Sequence, residues 1–209
     1  MDNNSTRNTW KYTINREDKV TVEGYNGEDT KIVIPSEIDG LPVTKIGWET
    51  FKNSHNIVSV VIPDTVEEIE SAAFFGCRNL TDLVVPETVK ELDESAFRGC
   101  HGLVDENGFI IVLNVLYEYL GNAETVTIPS GIKTIAYCCF MDNKKIKKVI
   151  LPDSIREISC GAFLRCKNLQ PIDIPNFECK IAGRKFRTYH SHIEYENHEC
   201  VFKIPRAEQ

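Results

Sequence analysis

One motif returns along the chain and limits the folds that it can adopt. The stretch SAAFFGCRNLTDLVVP at residues 71–86 comes back in part as SAFRGCHGL at 95–103 and as CGAFLRCKNLQPIDIP at 160–175. Repetition every 20–50 residues or so is typical of solenoids and related stacked-repeat folds. Six pairs of a β-branched residue or leucine with the following proline mark the repeat, at intervals of 28, 23, 43, 23 and 23 residues: Ile34-Pro35, Ile62-Pro63, Val85-Pro86, Ile128-Pro129, Leu151-Pro152 and Ile174-Pro175.

Each repeated column has a physical interpretation. The residues before the proline predict one short parallel strand per unit, which ends at the proline because that residue has no N–H to donate. A phenylalanine follows the proline by eleven residues, or by sixteen in the first unit, where Asp39-Gly40-Leu41-Pro42 lengthens a turn. A single coil cannot bury its own apolar face, so successive coils must stack. We expect the phenylalanines to form one buried spine: Phe51, Phe74, Phe97, Phe140, Phe163 and Phe186.

The spacing therefore predicts a strand-rich α/β solenoid of about six coils. A longer repetition lies over the coils, since Tyr25-Asn26-Gly27 precedes Pro35 by the same distance as Tyr119-Leu120-Gly121 precedes Pro129. Apolar or alternating residues run up to both elements, and we expect β-hairpins there, at 10–26 and 107–121, each opening a block of three coils. We predict a single domain, 1–209, with five parts: an N-terminal cap and hairpin at 1–34, a first repeat block at 35–106, a hairpin insertion at 107–121, a second repeat block at 122–180 and a C-terminal cap at 181–209.

Composition excludes two classes of function. The net charge of −7 argues against a nucleic-acid partner, because a general nucleic-acid binder carries a basic face. No apolar run approaches the ~20 residues of a membrane-spanning helix. The first fifteen residues lack the basic and then apolar pattern of a secretion signal. The compartment stays open: a surface or secreted protein if a leader has been removed, a cytoplasmic one if Met1 is the native start.

The cysteines suggest packing rather than disulfides. Cys77, Cys100 and Cys166 occupy the same slot of successive units, as small apolar side chains in a core would. A nucleophilic Cys–His pair is disfavoured: Cys138, Cys139 and Cys160 lie near the coil corners, and His101 directly follows Cys100, although adjacent residues seldom face one another. We predict no catalytic residue and no cofactor.

Ligand-like residues gather near the C-terminus. His190, His192, His198 and Cys200 follow Cys179, and imidazole and thiolate are zinc ligands. Zinc-finger spacing is absent, however, and a solenoid needs a polar cap over its last coil. We favour the cap over a metal site. At the other end, Trp10, Tyr12, Tyr25 and Trp48 are expected to cover the first coil, with an exposed aromatic ligand site as the alternative.

The strand face that points away from the core is the candidate binding surface. Alternation turns residues two and four before each proline outward. If all coils stack, these residues form a stripe about 25 Å long, from steps of ~4.8 Å. Such a stripe suits a protein partner, whereas the preference of Val, Ile and Thr for strands explains it equally well. The candidate surface comprises Lys31, Val33, Ser59, Val61, Asp82, Val84, Thr125, Thr127, Lys148 and Ile150.

The motif also resembles a known family. The pattern I-P-x-x-V-x-x-I-x-x-x-A-F-x-x-C-x-x-L-x-x-V, clearest at residues 62–83, is similar to the BspA-like leucine-rich repeat. The resemblance implies a right-handed solenoid, and a bacterial or protist surface protein that acts in adhesion. We therefore expect a non-catalytic scaffold that recognises a protein of unknown identity, or a glycan, through its strand face. A self-assembly module is the alternative, and a Cys-dependent enzyme comes third.

Overall fold

The computed structural model describes the backbone of residues 9–174, 178–181, 184–187, 191–196 and 199–203, and the side chains of residues 9–173. It is a strand-rich β-solenoid of about six turns, and its described part contains one short 3-10 helix, His101–Leu103. The chain divides into two compact units, Met1–Val104 and Asp105–Gln209. Each unit has its own strands and its own apolar core, and we describe them in turn.

The first unit opens with an antiparallel hairpin and continues in two parallel ladders. Strands β1 (Trp10–Ile14) and β2 (Val20–Tyr25) form the hairpin. One ladder, which we call the strand face, contains β3 (Lys31–Val33), β6 (Ser59–Val61) and β8 (Asp82–Val84). The second ladder joins β2 to β5 (Leu41–Ile46), β7 (Glu68–Ile69) and β9 (Glu91–Leu92), and β4 (Glu37–Ile38) pairs antiparallel with β5.

The second unit repeats this arrangement. Its opening hairpin is β10 (Phe109–Val112) with β11 (Val115–Tyr119). The strand face holds β12 (Thr125–Thr127) and β14 (Lys148–Ile150). The second ladder runs from β11 through β13 (Thr134–Ile135) and β15 (Glu157–Ile158) to β17 (Glu178–Ile181), which pairs antiparallel with β18 (Arg184–Arg187). Strands β16 (Ile172–Ile174), β19 (Ser191–Glu196) and β20 (Glu199–Lys203) form an antiparallel sheet.

The second ladder gives each coil two strands, where the spacing predicted one. Its members Ile69, Leu92, Ile135 and Ile158 are the aliphatic residues six positions after each proline, and each lies in register with the next in its unit. The longer turn of the first coil is a tight hairpin between β4 and β5. Both of its central residues, Asp39 and Gly40, have positive φ, which is the conformation that a two-residue hairpin turn requires.

The phenylalanines stack within each unit. The rings of Phe51 and Phe74 lie 5.0 Å apart, those of Phe74 and Phe97 4.9 Å, and those of Phe140 and Phe163 4.8 Å. All five side chains are buried. The spine is thus confirmed for these residues in each unit, and the side chain of Phe186 lies outside the described residues.

The aligned cysteines are thiols packed in the core, as predicted. The thiols of Cys77, Cys100 and Cys166 are buried, and each donates a 3.0 Å hydrogen bond to the carbonyl of a phenylalanine one coil earlier. Each thiol therefore contributes both an apolar contact and a polar one to the stacking of the coils.

At four corners of the coils, the residue two positions before the spine phenylalanine has a left-handed backbone conformation. Glu49, Ala72, Cys138 and Gly161 all have φ between 54° and 66° there. Only the last of them is the glycine that this conformation favours. The left-handed conformation therefore recurs at four corners, and three of them adopt it without glycine.

Candidate functional site

The strand face of the first unit presents three valines in a row. Val33, Val61 and Val84 are register partners on adjacent strands, and their exposed fractions are 69%, 36% and 50%. Residues Ile32 and Val60, between the outward positions, are buried as alternation requires. Two steps of ~4.8 Å give this column a length of about 10 Å. The sequence reasoning placed these side chains outward correctly, and their role stays a prediction.

The flanking polar column departs from the expectation at one position. Lys31 and Asp82 are exposed, but Ser59 between them is only 9% exposed. Its hydroxyl donates a 2.9 Å hydrogen bond to the Asp82 carboxylate, which covers it from one side. The prediction that Ser59 belongs to the exposed surface was therefore wrong. A small hydroxyl beside a longer acidic side chain is shielded even when it points outward.

The second unit carries the same face with a more polar composition. Thr125 pairs in register with Lys148, and Thr127 pairs with Ile150. All four are exposed, and Ile150, at 42%, is the large apolar member. The valine column of the first unit is thus the more apolar part of the candidate surface.

The described residues support neither the metal site nor the nucleophilic Cys–His pair. His190, His192, His198 and Cys200 lie outside the described side chains, and among the described residues no group of three metal-ligating side chains is present. Cys138 and Cys139 are buried, whereas Cys160 is exposed. In the described part of the chain, no helix has the length and apolar character needed to cross a bilayer.

Aromatic side chains cover the first coil of each unit. The rings of Trp10 and Tyr25 lie 4.8 Å apart, and Trp10 meets Phe51 edge-on at 6.2 Å. Phe109 and Tyr119, 5.0 Å apart, hold the corresponding place in the second unit. Tyr25 also donates a hydrogen bond to Asp29, and burial followed by this bond raises the pKa of Tyr25 to about 12.

Tyr12 and Trp48, the other two aromatic residues expected to cover the first coil, lie in different surroundings from Trp10 and Tyr25. Tyr12 donates a 2.5 Å hydrogen bond to Asp39 at the β4–β5 turn. Trp48 is 63% exposed and lines a groove of about 560 Å³ beside the second ladder, together with Glu68, Glu91 and Asp93. Sequence reasoning missed this groove. The available signal was the slot three residues before the spine phenylalanine, where Trp48 stands out from Ser71 and Glu94 of the following coils.

The column spacing and the two ladders per coil can be compared with known families. A family model described as the BspA type leucine-rich repeat region matches six copies, at residues 26–107 and 111–204. The chain belongs to this family. The match continues into the C-terminal region beyond residue 180, where the motif columns fade in the sequence. Among curated proteins, none matches the chain.

Solved structures of leucine-rich repeat proteins share this fold. A T. pallidum leucine-rich repeat protein is 27% identical with a TM-score of 0.56, over 79% of each chain. One from Bacteroides ovatus is 26% identical with a TM-score of 0.56, over 83% of this chain and 48% of that one. A leucine-rich cell surface protein from Faecalibacterium prausnitzii, at 24% identity and a TM-score of 0.52, covers 91% of this chain and 58% of its own, and shows the fold alone.

Proposed function

We propose that this BspA type repeat protein is a non-catalytic scaffold that binds a protein partner through its strand face. The supporting observation is the column Val33–Val61–Val84, in which three apolar side chains stand exposed and in register on adjacent parallel strands. Exposed valines have few side-chain rotamers, so they lose little conformational entropy when a partner covers them. The membership in a repeat family supports the same role, since stacked repeats create extended binding surfaces.

The polar border of this face orients the partner. Lys31 stands at one end of the flanking column and Asp82 at the other, so the first unit offers a cation and an anion on either side of the buried Ser59. Opposite charges at fixed positions give register and specificity more than affinity. The valine column supplies the apolar contact that drives association. Adhesion to another cell or to a host protein, a glycan ligand and a location at the cell surface belong to the same proposal.

The proposal also covers the handedness of the coil and the organisation of the domain. We take the coil to be right-handed, as the family resemblance implies. We also take the chain to be one solenoid domain in which residues 107–121 are an insertion between two repeat blocks.

A matched pair of charge variants tests the strand face. Val61→Glu with Val84→Glu adds two negative charges to the valine column, and Arg16→Glu makes the same change in net charge in the turn of the β1–β2 hairpin. The native chain and both variants are first compared by circular dichroism. Their binding to a panel of immobilised surface and matrix proteins is then measured. We expect the valine variant to lose roughly tenfold or more in affinity, as at a buried interface hot spot, and Arg16→Glu to bind as the native chain does. Equal binding by all three chains contradicts the proposal.

Self-association is the second candidate, and one observation favours it. Val33, the most exposed of the three valines, lies on β3, which is one of the two outer strands of the β3–β6–β8 ladder. An outer strand with an apolar side chain can pair with another chain. A mass that rises with protein concentration in the native chain, and not in a Val33→Lys variant, supports this candidate. A constant monomer mass excludes it.

A further inference from the structure

The groove beside the second ladder is a separate surface with its own chemistry. It lies in the first unit along β7 and β9, whereas the strand face is built from β3, β6 and β8. Its most unusual member is Trp48, whose large side chain is 63% exposed. A tryptophan is mostly buried in globular proteins, and it is enriched where proteins bind their partners.

The position of Trp48 is fixed by the fold. The residue lies two positions after the end of β5, and its N–H donates a 2.8 Å hydrogen bond to the Glu70 carboxylate on the next coil. The preceding Gly47 donates a 2.8 Å bond to the Val22 carbonyl, and the following Glu49 is left-handed with φ 55°. The exposed indole is therefore held on an ordered turn at the edge of the groove, which limits the entropy lost when a ligand stacks on it.

Four carboxylates line the groove in two rows. Glu68 and Glu91 are register partners on β7 and β9, and Glu70 and Asp93 come two residues later on the same coils. Neighbouring strands stand ~4.8 Å apart, so like charges lie close together. Lys45 balances part of this charge, since it contacts Glu68 at 2.7 Å and Glu70 at 3.1 Å. These contacts, first of all the hydrogen bond to Glu68, raise the pKa of Lys45. The groove remains negative overall at neutral pH.

The second unit shows that the fold does not require these groups. There Tyr137 occupies the slot of Trp48 and is 43% exposed, so the first coil of each unit presents an aromatic residue at this corner. The slots of Glu68 and Glu70, by contrast, hold Glu157 and Ser159, and the slot of Glu91 on the following strand holds Lys180. The repeated coil folds without the double acidic row, and the row therefore needs another explanation than stacking of the coils.

We propose that this groove binds a cationic, arginine-bearing segment of a partner protein, with a guanidinium over the Trp48 ring and its neighbours on the carboxylate rows. Arginine stacks on aromatic faces and makes forked hydrogen bonds to carboxylates, so one side chain satisfies both features of the site. A concave acidic surface also concentrates cations before they dock. The inference does not rest on the strand face, and either surface can bind without the other.

Intrinsic fluorescence reports on the groove directly. The chain has two tryptophans, and Trp10 is only 7% exposed, so a change in emission on adding a solute reports chiefly on Trp48. The probe is a five-residue peptide, acetyl-Arg-Gly-Arg-Gly-Arg-amide, added to the full chain at low and at moderate salt. Parallel titrations use matched peptides in which lysine or glutamate replaces each arginine. We expect saturable quenching by the arginine peptide, weaker binding of the lysine peptide and none of the glutamate peptide.

Variants distinguish the groove from general attraction to an acidic protein. Trp48→Ala, followed by calorimetry, should weaken binding of the arginine peptide roughly 3- to 30-fold, which is the range of a cation–π contact. Glu91→Gln should weaken it severalfold, whereas Glu87→Gln, which removes an equal charge at an exposed site outside the groove, should not. Unchanged affinity in Trp48→Ala, equal effects of the two glutamine variants, or no saturable binding at low salt overturns the proposal.

Discussion

Removal of one ring from the centre of the phenylalanine stack should cost the first unit much of its stability. Phe74 is fully buried and stacks on two neighbours, at 5.0 Å and 11° from Phe51 and at 4.9 Å and 4° from Phe97. Truncation of a buried phenylalanine to alanine costs about 3–5 kcal/mol, and each aromatic pair contributes about 0.5–1.5 kcal/mol beyond its buried area. Because Phe74→Ala breaks two pairs and leaves a cavity, we expect about 4–5 kcal/mol.

A second substitution separates the stacking from the volume. Phe74→Leu keeps most of the apolar volume and loses both aromatic pairs, so it should cost about 1–3 kcal/mol. Phe75→Ala is the matched control, since it removes an identical ring from a half-buried position one residue away. It should cost clearly less than Phe74→Ala.

Urea unfolding followed by circular dichroism measures all three variants against the native chain. A cost below about 2 kcal/mol for Phe74→Ala, in the range that a surface-side truncation gives, refutes the stacking argument. Equal costs for Phe74→Ala and Phe75→Ala refute it as well. If Phe74→Ala does not fold, Phe74→Leu still decides the question, because the argument requires it to be destabilising although the residue remains apolar.

Three further substitutions have expected outcomes. Ser159→Ala should raise the free energy of unfolding by about 1 kcal/mol, because the buried Ser159 hydroxyl meets no hydrogen-bond partner among the described residues; a loss of stability in urea contradicts this. Ala72→Gly should stabilise by about 0.5–1 kcal/mol, since its φ of 54° favours glycine; an unchanged or lower midpoint argues against strain at this corner. Tyr25→Phe should be less stable than the native chain at pH 9. This difference in stability should shrink or reverse towards pH 11.5. The pKa of Tyr25 is about 12 in the folded chain and has its ordinary value of 10.0 when unfolded, so the native chain loses stability as pH rises above 10. A difference in thermal midpoint that does not vary with pH refutes this reasoning.

The main features of the fold could be predicted because the apolar columns recur. Phenylalanine at a constant distance from proline indicated the spine, and alternation before the proline indicated which side chains of the strand face are outward. The second ladder was not predicted, because its strands β7, β9, β13 and β15 are only two residues long and carry no alternation of their own. The left-handed corners gave little signal either, since Glu49 and Ala72 occupy a conformation that sequence analysis assigns to glycine.

The candidate surfaces were predictable only in part. Val33, Val61 and Val84 follow from strand geometry alone, whereas the burial of Ser59 depends on a hydrogen bond to the next coil. The acidic groove combines residues about 23 positions apart in the sequence with a tryptophan from the preceding coil. Each of those residues is unremarkable by itself, and the stacking of coils is what brings them together.

The central claim is that the valine column contacts a partner protein, and side-chain footprinting of the complex tests it most directly. A protein captured in the binding panel is mixed with the full native chain, and hydroxyl-radical labelling of the free and bound chain is compared by mass spectrometry. The account predicts that labelling of Val33, Val61 and Val84 falls on binding, while labelling of the exposed Ile14 on the β1–β2 hairpin does not change. Unchanged labelling of the three valines, with protection at another surface, contradicts it.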